Sequence, residues 1–458
     1  MCKVTMLRKL LSAILLIALA VIPANAQEEG FSIDIKTNSE EATEINQLAA
    51  QYLVNGQHFE LKKLYDAKAD SLAPMVRAFS EAELLSVFNR NEEAIPAIRH
   101  FINEHRSEIP TELLLKEFST AIVCAEIIGN YAEARDMAAN VAGMLKQAGA
   151  PDDYIQHFTN YYNSNAILAT LPSQTIEKKK AECQIPFIIQ PVGKKGGHHM
   201  LVNGTINGKP TGMVFDTGAG CSMITRRKAE EFGLRMSDAT TSINAGGSVN
   251  AVYGTIDSLV VGDLVYRNVL CAVNDFKTGN AEADSVIKDL DMVLGLNVIR
   301  PLQEFTFDFD ANAIIVPSAP HNYPTPNMRQ HIQSRVFELT LTHNGMPIDA
   351  ILDSGFAGVL NLDSDFLEAN KEEVLANGEE IEDRGAGLAG VYIQKKYLLK
   401  DFNFRLNDTD YTVAKAAVAT KANEERSAIE NNLFGLDAMR TFRRVIISLK
   451  DCYIGLEK

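Results

Sequence analysis

The chain has 458 residues, enough for more than one core, and carries 59 acidic against 44 basic side chains, a formal charge of −15. That acidity excludes nucleic acid as a natural partner. The cysteines form no CxxC and no Cys/His pairing spaced for zinc, so no metal site is expected.

At the N-terminus, Lys3, Arg8 and Lys9 precede an apolar run from Leu10 to Ile22, and Ala24-Asn25-Ala26 supplies the small residues a signal peptidase reads. This predicts a cleaved secretory signal over 1–26 and a mature chain from Gln27. The run is too short for an anchor, Cys2 is not placed for lipidation, and no later segment has about 18 unbroken apolar residues, so no stable membrane insertion is expected. Without its signal the chain keeps 41 basic and 59 acidic residues, a charge of −18. The compact signal and the absence of Trp suggest a bacterial periplasmic or secreted protein. Five cysteines remain, Cys124, Cys183, Cys221, Cys271 and Cys452, an odd number that leaves at least one without an intramolecular disulfide. No histidine is dedicated to Cys221, whose expected role is packing rather than nucleophilic attack.

Residues 27–168 are rich in Ala, Leu and Glu, with apolar positions at helical spacing, and predict an all-α domain of five to seven helices. Turns at Asn55-Gly56-Gln57, Asn89-Arg90-Asn91 and Ile128-Gly129-Asn130 recur at about 34 and 39 residues. Gly129-Asn130-Tyr131-Ala132-Glu133-Ala134 resembles the turn of a tetratricopeptide-type repeat. Such an array can stabilise its neighbour, dock a protein partner, hold substrate or shield a cleft. A polar linker is expected at 169–184, followed by alternating strands, Gly-rich turns and Asn-Gly hairpins. A proline-rich break over 319–332 then divides this all-β region into lobes at 185–318 and 333–458.

The two lobes share a motif. Gly212-Met213-Val214-Phe215-Asp216-Thr217-Gly218-Ala219-Gly220 returns 137 residues later as Asp349-Ala350-Ile351-Leu352-Asp353-Ser354-Gly355-Phe356-Ala357. An Asn-Gly hairpin precedes each copy, at Asn207-Gly208 and Asn344-Gly345, and an apolar pair with Gly follows, ending at Gly295 and Gly435, 79 and 82 residues after the aspartates. A repeat with three landmarks in matching order predicts two lobes that bring Asp216 and Asp353 to a shared pseudo-twofold axis. Two carboxyls held together cannot both ionise comfortably, so they share a proton, and one serves as base while the other serves as acid. The pair can activate a water against a peptide carbonyl with no metal or organic cofactor. Gly218 and Gly355 permit the close approach of the loops, and the hydroxyls of Thr217 and Ser354 are available to brace one loop against the other.

These motifs resemble the retropepsin-like aspartic peptidases, which are more distantly related to pepsin, over roughly 185–457. The resemblance rests on Asp216-Thr217-Gly218-Ala219 with Leu294-Gly295, and Asp353-Ser354-Gly355 with Phe434-Gly435. It implies that Asp216 and Asp353 are catalytic and that the substrate is a polypeptide lying extended between the lobes. With both aspartates in one chain, a monomer suffices for the site. Phe356 stands where a small residue is the commoner choice. The resemblance also implies substrate-covering flaps, matched here to glycine-bearing stretches containing Gly246, Gly247 and Tyr253 in one lobe and Gly387 and Tyr392 in the other. Ala219 and Phe356 offer the carboxylates no hydroxyl, which predicts activity extending from mildly acid toward neutral pH.

Two smaller constellations read as structural. Asp308-Phe309-Asp310 lies in an alternating strand pattern with Phe305 and Phe307 rather than in a calcium loop, and His198-His199 read as surface or strand-edge residues. The expected architecture is thus an N-terminal all-α helical-repeat domain followed by an all-β, pepsin/retropepsin-like double-lobed protease domain, acting as an aspartic endopeptidase. The alternative is an inactive peptide-binding or scaffold protein on the same lobes.

Overall fold

The computed structural model describes residues 40–192, 197–244, 248–275, 290–387, 390–420 and 432–458. The segment read as an export signal lies outside the described residues. The chain forms two compact units, Met1–Pro172 and Ser173–Lys458.

The first unit is helical: α1 (Glu40–Val54), α2 (His58–Lys68), α3 (Pro74–Val87), α4 (Asn91–His105), α5 (Thr111–Ile127), α6 (Tyr131–Ala148) and α7 (Asp152–Leu168). Residues 55–57, 88–90 and 128–130 close α1–α2, α3–α4 and α5–α6 as hairpins. Each of these turns carries a positive φ, at Gly56, Asn89 and Gly129, which ends the preceding helix in the left-handed conformation those residue types tolerate. Pro74 opens α3, and Pro110 and Pro151 cap α5 and α7, where a missing N–H costs nothing. Phe79 and Phe101 stack at 4.9 Å within a core that includes Ile98 and Ile122.

The second unit is β-rich and repeats its order of elements. Strand β1 (Thr175–Lys178) comes first. The first half continues with β2 (Cys183–Pro191), β3 (His198–Ile206), β4 (Lys209–Phe215), β5 (Met223–Thr225), α8 (Arg226–Phe232), β6 (Arg235–Asn244), β7 (Ser248–Val261), β8 (Leu264–Asn274), β9 (Met292–Leu294), α9 (Leu296–Ile299), β10 (Glu304–Asp308) and β11 (Ala313–Val316). The second half runs β12 (Met328–His331), β13 (Val336–His343), β14 (Met346–Asp353), β15 (Leu360–Leu362), α10 (Ser364–Ala369), α11 (Lys371–Asn377), β16 (Glu379–Gly387), β17 (Gly390–Leu406), β18 (Thr409–Ala419), β19 (Leu433–Gly435), α12 (Leu436–Met439), β20 (Arg444–Ser448) and β21 (Tyr453–Glu457).

The pairing repeats with the order. Asn207-Gly208 and Asn344-Gly345 turn β3 into β4 and β13 into β14, all four residues at positive φ as a two-residue hairpin demands. β4 then pairs in parallel with β9, and β14 with β19, so the strand leading into each aspartate lies beside its apolar-Gly landmark. The halves do not close separately: β20 pairs antiparallel with β10, joining the C-terminal hairpin to the first half's sheet. Strand β12 begins inside the stretch read from the sequence as a linker, because its backbone finds a partner in β13. The proline-rich segment before it is held by buried Glu304, which accepts from the His321 N–H at 2.6 Å and the Tyr323 hydroxyl at 3.2 Å.

Phe215, Phe305 and Phe307 form one aromatic cluster, with Phe215 at 5.7 and 5.8 Å from the other two. Asp308 is buried, accepting from Arg444 Nε at 2.7 Å and the Ala311 N–H at 2.9 Å, as a central strand between β11 and β20 requires of a charged residue. No metal-binding cluster occurs among the described residues.

Candidate active site

Asp216 directly follows β4, whose last three residues are buried, and Asp353 ends β14, where buried residues alternate with half-buried ones. Phe215 and Leu352 point into the core, and the chain turns immediately afterwards. The Asp216 N–H donates to the Leu294 carbonyl at 3.0 Å, fixing the first loop to its landmark. Leu296 N–H reaches the Ala219 carbonyl at 2.7 Å, and Leu436 N–H reaches the Phe356 carbonyl at 3.1 Å, so a short helix clasps each loop from below.

The two loops lock together. Thr217 N–H donates to Ser354 Oγ at 3.0 Å, and Ser354 N–H donates to Thr217 Oγ1 at 2.9 Å. Each hydroxyl in turn donates across to the other half's strand, Thr217 to the Leu352 carbonyl at 2.7 Å and Ser354 to the Phe215 carbonyl at 2.8 Å. Both side chains are buried, so these four bonds form away from competing water. Gly218 faces the Asp353 carboxyl and Gly355 faces that of Asp216: a Cβ added at either would sit 2.4 or 2.3 Å from the opposing Cγ. Only glycine permits this approach.

Asp216, Asp353, Thr217, Gly218, Ser354 and Gly355 are therefore brought together from positions 137 residues apart. Each carboxyl thus lies against the glycine of the opposing loop. Burial, reinforced by the facing Asp353, pushes Asp216 well above the ordinary carboxylate range. Burial raises Asp353 too, while its Oδ1 accepts the N–H groups of Phe356 at 2.8 Å and Gly355 at 2.9 Å, which oppose that rise. Asp216 Oδ1 likewise accepts the Gly218 N–H at 2.8 Å, and two facing buried carboxyls of this kind hold one proton between them. Such a pair can take a proton from one oxygen and deliver another to a second oxygen.

The flap candidates are placed only in part. Gly246 and Gly247 lie outside the described residues. Tyr253 is half-buried in β7, its N–H on Ser237 Oγ at 3.2 Å, and its Cα lies opposite Ala272. Gly387 pairs with Gly390 at the end of the β16–β17 ribbon, and Tyr392 pairs with Gly385 two steps back. Tyr392 lies beyond the first β17–β18 pairing, Lys396 with Ala419, whereas Tyr253 lies within the β7–β8 ladder, so the similar spacing of the two tyrosines from their aspartates does not make them equivalent.

Several supporting residues carry no signal that the sequence reading used. Asn297 accepts both the N–H and the hydroxyl of Ser222, at 2.7 and 2.8 Å, and Ser222 Oγ accepts the Gly295 N–H at 3.0 Å, which ties the end of the first loop to its helix. Asp437, at the position matching Asn297, instead accepts from Arg440 Nη1 at 2.8 Å and bonds His198 Nδ1 at 2.9 Å. His198 is consequently more than a strand-edge residue. The available hint is the second Gly-Leu-Asp landmark, whose polar residue has no visible partner in the sequence. Burial pushes the Cys221 thiol up to about 11, which leaves it protonated and poorly nucleophilic.

A family model described as aspartyl protease matches residues 202–298, from within β3 through the Asp216 loop to α9. No curated protein matches the chain. The β-rich region of this chain, which follows a helical region over 44–168, carries an aspartyl protease domain.

Proposed function

We propose that the chain is an exported aspartic endopeptidase of the two-lobed, retropepsin-like plan, complete as a monomer, with Asp216 and Asp353 as its catalytic pair. The mutual bracing of Thr217 and Ser354 carries this reading, because it holds the two carboxyls face to face within one chain. Ionised Asp353 takes a proton from a water lodged between the carboxyls as that water attacks the peptide carbonyl carbon. Asp216 gives its proton to the carbonyl oxygen, forming a gem-diol. On collapse the proton now on Asp353 passes to the amide nitrogen, the C–N bond breaks, and a diol proton returns to Asp216. The substrate runs extended, bonding by its backbone to strand edges. In the helical unit, three hairpins with matching turns support a tetratricopeptide-type array that docks a protein partner or steadies the enzyme.

The test is incubation of the purified chain from Gln27 with an unbiased peptide mixture from about pH 3 to 8, the range over which a carboxyl pair can hold a single proton, with cleavages read by mass spectrometry. Cleavage lost in both Asp216→Asn and Asp353→Asn and blocked by pepstatin-like inhibitors supports the reading. Peptide binding without cleavage at any pH, in the full chain and in residues 185–458 alike, favours a catalytically silent binding protein.

A further inference from the structure

The two aspartate loops are held from the opposite half in corresponding places but by different chemistry. The first loop meets the turn between β12 and β13: a Cβ on Gly220 would sit 2.9 Å from the Ser334 carbonyl oxygen. Arg300, at the end of α9, donates to Gln330 Oε1 at 2.6 Å and to the Arg335 carbonyl at 2.7 Å, so a permanently charged guanidinium fastens that turn.

The second loop meets the hairpin between β2 and β3. Gly197 lies so close to Ala357 that a Cβ there would overlap the Ala357 carbonyl oxygen and would approach Asp437 Oδ2 to 2.8 Å. The next residue, His198, is the fastening, with Nδ1 2.9 Å from Asp437 Oδ1. Asp437 is itself tied to the loop, because its N–H donates to the Gly358 carbonyl at 3.0 Å, and the neighbouring Gly435 N–H donates to the Val359 carbonyl at 2.9 Å. A continuous path of hydrogen bonds thus runs from the first half's hairpin through His198 and Asp437 to the segment that follows Asp353.

We propose that His198 is a positioning residue for the second aspartate: its bond to Asp437 pins the loop 353–358 against the first half and so fixes Asp353 opposite Asp216. The inference rests on the aspartic-peptidase reading above. Arg440 also faces Asp437 but directly follows the same short helix, so it orients the carboxylate without joining the halves. His198 touches no reacting atom and acts through Asp437 alone.

The test compares His198→Ala and His198→Asn with wild type by steady-state turnover and by hydrogen exchange of the two loops. The Ala variant is expected to lower kcat about 10- to 100-fold with KM changed less than about twofold, because misplacing a catalytic group slows chemistry more than binding. The Asn variant, whose amide can donate to Asp437, is expected to recover most of kcat. Exchange of the amides over 353–359 should rise in the Ala variant while that over 216–222 stays as in wild type. Unchanged kcat in the Ala variant, or exchange rising equally in both loops, overturns the proposal. Should wild type cleave nothing, the peptidase reading fails, and exchange confined to the second loop still upholds the tether.

Discussion

Thr217 and Ser354 each donate a backbone N–H to the other's hydroxyl, at 3.0 and 2.9 Å, and each hydroxyl donates onward to the strand leading into the other's aspartate. The bracing is reciprocal, so neither loop is positioned without the other. Thr217→Val and Ser354→Ala are each expected to destabilise the β-rich unit by about 2–3 kcal/mol, since each leaves a buried N–H and a carbonyl without partners. In urea unfolding, the double variant should cost less than the sum of the two, because the two hydroxyls brace one shared junction whose loss is felt only once.

The raised state of Asp216 has a sign. A carboxyl held above its ordinary range in the folded protein binds its proton more tightly there than in the unfolded chain, so its contribution to stability is full below the ordinary carboxylate range. That contribution is lost as pH rises through the raised value. Asp216→Asn removes this loss while keeping an oxygen for the Gly218 N–H, which Asp216 Oδ1 accepts at 2.8 Å. The Asn variant should therefore melt higher than wild type at pH 8, with the gap narrowing toward pH 4, in thermal scans at both pH values, a span that covers the titration of a raised carboxyl.

Activity should follow the same proton. The proposed mechanism needs one proton on the pair, so kcat/KM is expected to be bell-shaped, with an acid limb where the pair gains a second proton and an alkaline limb where it loses its last. Both members are pushed up by burial, which places the optimum in mildly acid to neutral solution. A pH–rate profile confined to strong acid would contradict this.

Gly355→Ala should abolish cleavage more completely than it unfolds the protein. The new Cβ would sit 2.3 Å from Asp216 Cγ, and one carboxyl must move away from the other. Circular dichroism close to wild type with turnover lowered by at least about 100-fold is the expected pair of results, as for a catalytic group displaced by about 1 Å.

Phe356 is accommodated by a missing side chain. A Cβ on Gly358 would lie 2.4 Å from Phe356 Cζ, and in the first half the matching pair is Ala219 and Cys221, the smaller residue first. Gly358→Ala is expected to destabilise by about 1–3 kcal/mol through overpacking. Adding Phe356→Ala should restore part of that loss, read as a double-mutant cycle on the unfolding midpoint.

The two-residue Asn-Gly turns, the aspartates, the glycines of close approach and the apolar-Gly landmarks are all local patterns, and their repetition is legible along the chain itself. So are the helical spacing of the first unit and its positive-φ turns, because helix periodicity and left-handed turn residues are set by a few neighbouring side chains.

Contacts between distant segments have no such signature. Nothing near His198 in the chain announces Asp437, 239 residues away, and nothing marks Asn297 as the partner of Ser222. The pairing of β20 with β10 and the raised carboxyl of Asp216 likewise depend on which groups converge in space. The sequence by itself determined the local conformations and the residue types of a carboxyl pair, since these follow from spacing and from side-chain chemistry. The tertiary structure alone decided that both carboxyls are buried and pushed up and how each loop is held, because burial, opposing charge and hydrogen bonding are properties of groups brought together only by folding.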